Sequence, residues 1–212
     1  MKFFKLNYLL TAAIFTILLS SSKIYAHCDG VDGPVVKSAK KALETGNVNL
    51  VLIWVGKNDE NTIKDSFSKT MKVRKLNDEA RELADSYFFE TLVRIHRAGE
   101  GEPYTGLKPS GRDLGPVIPA ADRSIEEGSI KPLKDVFAAK NLNTSKVESL
   151  FNAVMKNRSY ETNDIQAGRK YVHSYVEFLH TAEHLYESGR AGDQKKDNHH
   201  KLESAEKPAH SH

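Results

Sequence analysis

The sequence is patterned for helices along almost its whole length, and no other feature restricts the fold as strongly. In successive segments, apolar residues recur every three or four positions, the spacing that gives a helix one buried side. The apolar run at residues 48–55 has the composition of a buried strand, but the chain contains no second strand-like run to pair with it. We therefore predict a buried helix there and an all-α fold, a single-domain bundle of about six to eight helices.

Capping residues mark the ends of the predicted helices. The first helix ends at Gly46, another begins at Asp59, and Asn77 caps a long helix that runs to about Ala98. An irregular stretch at residues 99–119, with five glycines and four prolines, follows, and two further helices precede the last one. A structureless segment of this length inside a compact domain is unusual unless it is functional or wraps a surface.

The C-terminal part divides into two helices and a polar tail. The clearer helix covers residues 145–157, where Ser145 and Glu148 have the spacing of a capping box. The last helix runs over about residues 164–188. The tail, residues 189–212, is poor in apolar side chains, contains four of the nine histidines and is predicted to be disordered. The helical domain is therefore expected to cover residues 27–188.

The first 26 residues have the parts of a secretory signal peptide. A short cationic start precedes a mostly apolar stretch at residues 9–19, and a small polar region ends at Ala26. The apolar stretch is too short for a typical membrane span. We expect cleavage after Ala26, a periplasmic or secreted location, and no stable membrane span in the processed chain.

Removal of this segment leaves a chain without net charge. Residues 1–26 carry three of the 31 basic residues and none of the 28 acidic ones, so 28 of each remain. The isoelectric point of about 8.8 therefore describes only the full chain. A balanced charge does not favour nucleic acid as a partner, and we expect none.

Cleavage after Ala26 would make His27 the amino terminus, next to the single cysteine of the chain, Cys28. A terminal amine, an imidazole, a backbone amide and a thiolate would then lie within two residues. This donor set favours square-planar nickel(II) or copper(II). Because one cysteine cannot form an internal disulfide, Cys28 is a metal ligand, a free thiol or a link between two chains.

The segment HCDGVDG, residues 27–33, resembles the metal hook of nickel superoxide dismutases, which also begins His-Cys-Asp. Those enzymes have a second cysteine at the sixth position of the hook, where this chain has Asp32. The soft donor of that position is therefore absent here.

A broader resemblance covers most of the predicted domain. The segments HCDGVDGPVV (27–36), ALETGNVN (42–49), FFETLVRIHRAGEGEPYTGLKP (88–109), DLGPVIPAAD (113–122) and AGRKYVHSYVEFLH (167–180) are similar to a family of uncharacterised bacterial and archaeal proteins of unknown function. The resemblance supports a single domain and implies no activity.

The last helix carries a column of polar residues. His173, Glu177, His180 and His184 lie within about 60° of arc, and Glu177 with His180 has the Glu-x-x-His spacing of di-iron bundles. Such bundles use two of these motifs, and we find one. Because apolar residues occupy the opposite side of the helix, we expect the column to face solvent unless the N-terminal arm or the Gly/Pro-rich stretch covers it.

The long helix offers a second group, Glu90 and His96, close to its apolar side. A partly buried imidazole and carboxylate are either core groups that satisfy each other or ligands for something bound at the helix end.

We therefore predict an exported metal-binding protein whose site is organised by the N-terminal arm, and which is redox-active if the metal is. His27 and Cys28 would be ligands, with Asp29 or Asp32 as a nearby carboxylate. Coordination would be completed by one of two pairs, Glu90 with His96 or Glu177 with His180. Nickel, copper, iron and zinc all suit these donors. The alternative is a non-catalytic exported helical scaffold, in which Cys28 links two copies of the chain.

Overall fold

A computed structural model describes residues 27–140 and 142–203 of the chain, with side chains as far as residue 189. The predicted signal peptide, residues 1–26, and the end of the predicted tail, residues 204–212, lie outside the described residues. The described part is helical, and its only bridge between extended segments is an isolated parallel one joining Gly30 to Lys108. The predicted all-α bundle is therefore confirmed.

The described residues contain eight α-helices and one short 3-10 helix. Their bounds are α1 Pro34–Thr45, α2 Asn49–Leu52, the 3-10 helix Lys57–Asp59, α3 Glu60–Val73, α4 Asp78–Gly99, α5 Val117–Glu127, α6 Lys131–Ala138, α7 Ser145–Asn157 and α8 Ile165–Glu203.

The helix ends that the sequence marks most clearly are confirmed. Helix α1 ends at Gly46, whose φ of 70° is a left-handed conformation that glycine adopts without a Cβ clash. The side chain of Asn77 accepts a hydrogen bond of 2.7 Å from the backbone N–H of Ala80 at the start of α4. Polar caps and glycine therefore position these helices.

Four details of the predicted elements are wrong. The apolar run at residues 48–55 is helical only over α2 and then turns, and three helices rather than two lie between the irregular segment and α8. Thr144, not Ser145, occupies the N-cap of α7, so Ser145 and Glu148 do not form a capping box. Helix α8 continues past Ser188 to Glu203, through Gly189 and Gly192.

The core lies between paired helices, chiefly α3 with α4 and α7 with α8. Its largest fully buried side chains are Phe88, Phe137 and Phe178, and Trp54 of the turn after α2 is also buried. No helix in the described residues is both long enough and apolar enough to cross a membrane.

The irregular Gly/Pro-rich stretch, which covers residues 100–116 in the structure, holds the N-terminal arm against the bundle. We call residues 27–33 the arm. The backbone N–H of Lys108 donates to the carbonyl of Asp29 at 2.8 Å, and that of Val31 donates to the carbonyl of Lys108 at 3.0 Å. The side chain of Asp32 accepts from the N–H of Gly111 at 2.8 Å. The arm is therefore fixed by a segment that lies far from it in the sequence.

Candidate functional site

The arm is buried at its centre, although it lies at the start of the described chain. Cys28 is 7% exposed and Asp29 is 4% exposed. The arm turns tightly, and the N–H of Gly33 donates to the carbonyl of Gly30 at 2.8 Å. A Cβ at Gly33 would lie 2.4 Å from the carbonyl oxygen of His27, so this turn requires glycine.

A small, partly open cavity of about 10 Å³ lies between the arm and α8. This volume is about that of one water molecule or one small ion. The polar and ionisable residues that line it are His27, Cys28, Arg97, His180 and Glu183. Ile118, Val176 and Leu179 close it on the apolar side. We call it the arm cavity.

Burial raises the pKa of the Cys28 thiol well above its ordinary value. The negative charges of Glu100, Asp29 and Asp122 raise it further, while Arg97 acts in the opposite direction. The thiol is therefore protonated near neutral pH in the metal-free structure, and it is not an activated nucleophile.

His27 is held from its outer side by α5. Its Nε2 lies 3.2 Å from Oδ2 of Asp122, whose other oxygen accepts a hydrogen bond of 2.9 Å from the hydroxyl of Tyr175. The remaining ring nitrogen, Nδ1, is buried and has no hydrogen-bond partner among the described residues. One side of the imidazole is therefore fixed and the other has an unused nitrogen.

Two side chains of α8 face the arm. Burial and the nearby Glu187 raise the pKa of Glu183 to about 8. Its Oε2 atom is buried without a hydrogen-bond partner in the described chain. Burial lowers the pKa of His180, so its imidazole is favoured in the neutral form that binds metals.

Arg97 connects the arm to α4. Its side chain, 5% exposed, lies 3.3 Å from Asp29 and donates to Glu100 at 3.1 Å. Glu102 is 3.8 Å away. One buried guanidinium therefore holds carboxylates from both the arm and the start of the irregular stretch.

His96 belongs to a neighbouring groove and not to the arm cavity. Its Nδ1–H donates to the carbonyl oxygen of Trp54 at 2.9 Å, and its Nε2 lies 3.4 Å from Glu100. The His96 and Trp54 rings meet edge to face with centroids 5.6 Å apart. The geometry gives His96 the contacts of a core residue that joins α4 to the turn after α2.

The structure brings together only some of the residues that the sequence singles out. His27, Cys28 and His180 line one cavity, and Asp29 lies beside it. Of the predicted ligands elsewhere, Glu177 is exposed on α8 and does not line the cavity. Glu90 is also exposed, and it accepts a hydrogen bond from the hydroxyl of Tyr104.

Asp32 is likewise turned away from the cavity, since it binds the backbone of Gly111. This hydrogen bond lowers the pKa of the Asp32 carboxyl. The hydrogen bond between Asp32 and Gly111 helps to hold the irregular stretch alongside the arm.

Sequence reasoning overlooked Glu183, Asp122 and Arg97 as parts of this region. Glu183 follows His180 by three residues, so both lie on one side of α8, and this spacing is a signal that could have identified it. Asp122 comes from a helix that only the tertiary fold brings to His27.

Among the described residues, no three His, Cys, Asp or Glu side chains are arranged so that they could hold a metal ion together. The side chains that line the arm cavity are therefore near one another without forming a ready coordination sphere.

The chain belongs to the family of unknown function DUF6448, whose model matches residues 32–181. This match agrees with the predicted resemblance to an uncharacterised family. It begins after His27 and Cys28, so it does not test the likeness of the arm to the nickel hook. No curated protein and no solved structure matches the chain.

Proposed function

We propose that this member of the family is an exported protein that binds one transition-metal ion in the arm cavity. His27 and Cys28 are the principal ligands, and His180 with Glu183 completes the set. The observation that carries the proposal is that a thiol, two imidazoles and a carboxyl group line one cavity of about 10 Å³.

Two unpartnered polar atoms support a bound ligand. Nδ1 of His27 and Oε2 of Glu183 are buried without hydrogen bonds, in residues that line the same cavity. Buried polar atoms are nearly always satisfied in folded proteins, and unsatisfied ones indicate a water, an ion or a functional role. Both atoms can donate an electron pair to a metal, which fits a cation better than an anion.

The surrounding charges also favour a cation. Glu100, Asp29 and Asp122 all act on the Cys28 thiol to disfavour its ionisation, and Arg97 alone among the strongest influences acts the other way. A divalent cation next to the thiol would reverse this balance, because metal coordination stabilises the thiolate. The same carboxylates would then compensate part of the charge of the ion.

Coordination requires the side chains to turn toward one point. The ligands come from separate parts of the chain, the arm and α8, and Glu183 is only partly buried. We expect their side chains, which already line one cavity, to turn toward the ion as it binds. The expected site is therefore completed by the ion itself.

The donor types restrict the metal to zinc, copper, nickel or iron. A thiolate with imidazoles and one carboxylate suits all of these, and hard oxygen-seeking ions such as magnesium are disfavoured. Cleavage after Ala26 would add the terminal amine of His27 to the donors. A redox role follows only if copper, iron or nickel occupies the site in the cell.

Calorimetric titration with zinc(II) tests the proposal on the processed full chain. In every sample, alanine replaces the four tail histidines, which would otherwise bind metal weakly: His199, His200, His210 and His212. We expect one zinc ion per chain, and an affinity about 100-fold or more lower in Cys28→Ala. His173→Ala is the matched control, because it removes an exposed histidine of the same helix.

Equal zinc binding by the parent chain and by Cys28→Ala would contradict the proposal. Loss of binding in His173→Ala to the same degree would also contradict it, since that histidine does not line the arm cavity.

The alternative of a scaffold linked through Cys28 has less support. The thiol belongs to the arm and is buried against the bundle, so a disulfide between two copies requires the arm to leave the bundle. Electrophoresis without reducing agent distinguishes the two functions, since a covalent dimer that disappears in Cys28→Ala would favour the scaffold.

A further inference from the structure

An exposed apolar surface lies on the hairpin formed by α3 and α4, far in sequence from the arm. Four large apolar side chains are exposed in the described part of the chain, and all of them belong to this hairpin: Val73 (40%), Leu76 (74%), Leu83 (73%) and Tyr87 (53%). Val73, Leu83 and Tyr87 line a shallow groove of about 400 Å³ together with Lys69, Thr70 and Ala84. We call this set of residues the hairpin groove.

The groove is separate from the face by which the hairpin joins the core. Helices α3 and α4 pack into the bundle through Ile63 and Phe67 on one helix and Phe88 and Leu92 on the other. The exposed apolar residues therefore form a second apolar face. A concentration of exposed apolar side chains at one place indicates an interaction surface.

The tip of the hairpin is held firmly. Arg74, just after α3, donates two hydrogen bonds to the carboxylate of Asp85, at 2.8 and 3.1 Å, and a third of 3.1 Å to the carbonyl of Leu43 in α1. These contacts fix the two helices relative to each other. The hairpin groove is therefore a preformed surface.

Charges of opposite sign flank the groove. Lys69 lies one helical turn before Val73 on α3, and Glu79 lies one turn before Leu83 on α4. Both side chains are exposed, and neither has an ion-pair partner among the residues that the structure describes. A basic side chain, Lys69, thus lies beside the hairpin groove on α3, and an acidic one, Glu79, lies beside it on α4.

A surface with this arrangement is complementary to itself. If two copies meet crosswise about a two-fold axis through the groove, α3 of one copy crosses α4 of the other. Lys69 of each copy then approaches Glu79 of its partner, and the apolar residues meet between the two charged pairs. Isologous contacts of this kind are the commonest basis of protein dimers.

We propose that two copies of this protein associate through their hairpin grooves into a symmetric, non-covalent dimer. Leu83 and Tyr87 lie at the centre of the interface, and Lys69 with Glu79 fixes its orientation. The proposal does not depend on metal binding.

Sedimentation equilibrium of the processed full chain across a range of protein concentrations tests the interface. The parent chain should form a dimer, and Leu83→Asp should be monomeric because it places a charge in the buried centre. Ser86→Asp provides a charge at another exposed position of the same helix, one that does not line the groove, and should change the dimer less. Circular dichroism should show the same helix content in all three proteins, since these positions are exposed.

The charge swap tests the orientation. Lys69→Glu and Glu79→Lys should each weaken dimerisation about tenfold or more, since each places like charges opposite one another at two points. The double variant should regain most of the parent affinity, because it restores opposite charges in exchanged positions. A lipid or an unrelated protein in the groove would not produce this recovery.

Three results would overturn the proposal. One is a parent chain that stays monomeric up to millimolar concentration. Another is a dimer that Leu83→Asp leaves unchanged. The third is a monomer that co-sediments with phospholipid vesicles and loses this binding in Leu83→Asp, which would assign the groove to a membrane surface.

Discussion

Cys28 and His180 line one small cavity, although Cys28 lies near the start of the described chain and His180 lies in its last helix. The arm reaches α8 because the Gly/Pro-rich stretch holds it, through backbone hydrogen bonds between Lys108 and its neighbours Asp29 and Val31. A long segment without regular structure thus holds the residues of the proposed metal site against the bundle.

Gly33→Ala should destabilise the arm. The added Cβ would lie 2.4 Å from the carbonyl oxygen of His27, and the backbone must move to relieve this contact. We expect a loss of about 1–3 kcal/mol in the free energy of unfolding, together with weaker zinc binding. Thermal unfolding and zinc titration measure the two effects.

Gly99→Ala serves as the control for this change. Gly99 is helical, and a Cβ there would have nothing within 4 Å. This substitution should be neutral or slightly stabilising, since alanine favours a helix over glycine. If both alanine variants behave alike, the tight turn at Gly33 does not hold the arm.

Arg97→Met should destabilise the protein by about 3–5 kcal/mol, because it leaves the buried carboxylates of Asp29 and Glu100 without their positive partner. Chemical denaturation at neutral pH measures the loss. The effect should shrink as the pH falls, since protonation removes the uncompensated charges. Arg94→Met, at an exposed position of the same helix, should change the stability little, and a similar loss there would contradict the prediction.

Glu183 should make the stability of the metal-free protein depend on pH. Burial raises the pKa of Glu183 from about 4.5 to about 8, so the folded chain binds this proton more tightly than the unfolded chain does. Stability should therefore fall as the pH rises from the unfolded value through about 8, and then level off. Glu183→Gln cannot ionise, so its unfolding free energy should lack this fall.

Unfolding by urea at a series of pH values, with a chelator present, measures this difference. Parallel stability profiles of the parent chain and Glu183→Gln would show that the carboxyl is not held in a buried position. Glu177→Gln, which changes an exposed carboxyl of the same helix, should follow the parent profile.

Zinc binding should release a proton from Cys28. Burial raises the pKa of the thiol, so the metal-free protein is protonated there at neutral pH, whereas a metal ligand is a thiolate. The apparent affinity should therefore increase with pH. Calorimetry in two buffers with different ionisation enthalpies counts the protons, and Cys28→Ala should release fewer; an equal count would exclude the thiol as a ligand.

The helical fold could be predicted from sequence because its signals are local. Asn77 directly precedes the helix that it caps, and Gly46 directly follows the helix that it terminates. The apolar spacing of each helix is contained within that helix. The N-cap position of α7 is less certain from sequence, since Thr144 and Ser145 are successive hydroxyl residues that give the same local signal, and the structure has Thr144 there.

The candidate site could be predicted only in part, because its completion depends on contacts distant in sequence. His27 and Cys28 are conspicuous as neighbours, but the carboxyl groups that come to them from elsewhere in the chain follow α4 or lie on α5 and α8. The sequence pairs Glu90 with His96 because both are near the apolar side of α4. Six residues turn a helix through about 240°, so these two side chains point apart.

The metal content of the natively exported protein is the most direct test of the central claim. Elemental mass spectrometry would compare the full chain, with its tail histidines replaced, with the same chain carrying Cys28→Ala. We expect close to one equivalent of zinc, copper, nickel or iron in the first sample and a large loss in the second. Metal-free protein in both samples, or an equal metal content in both, would contradict a metal site at the arm cavity.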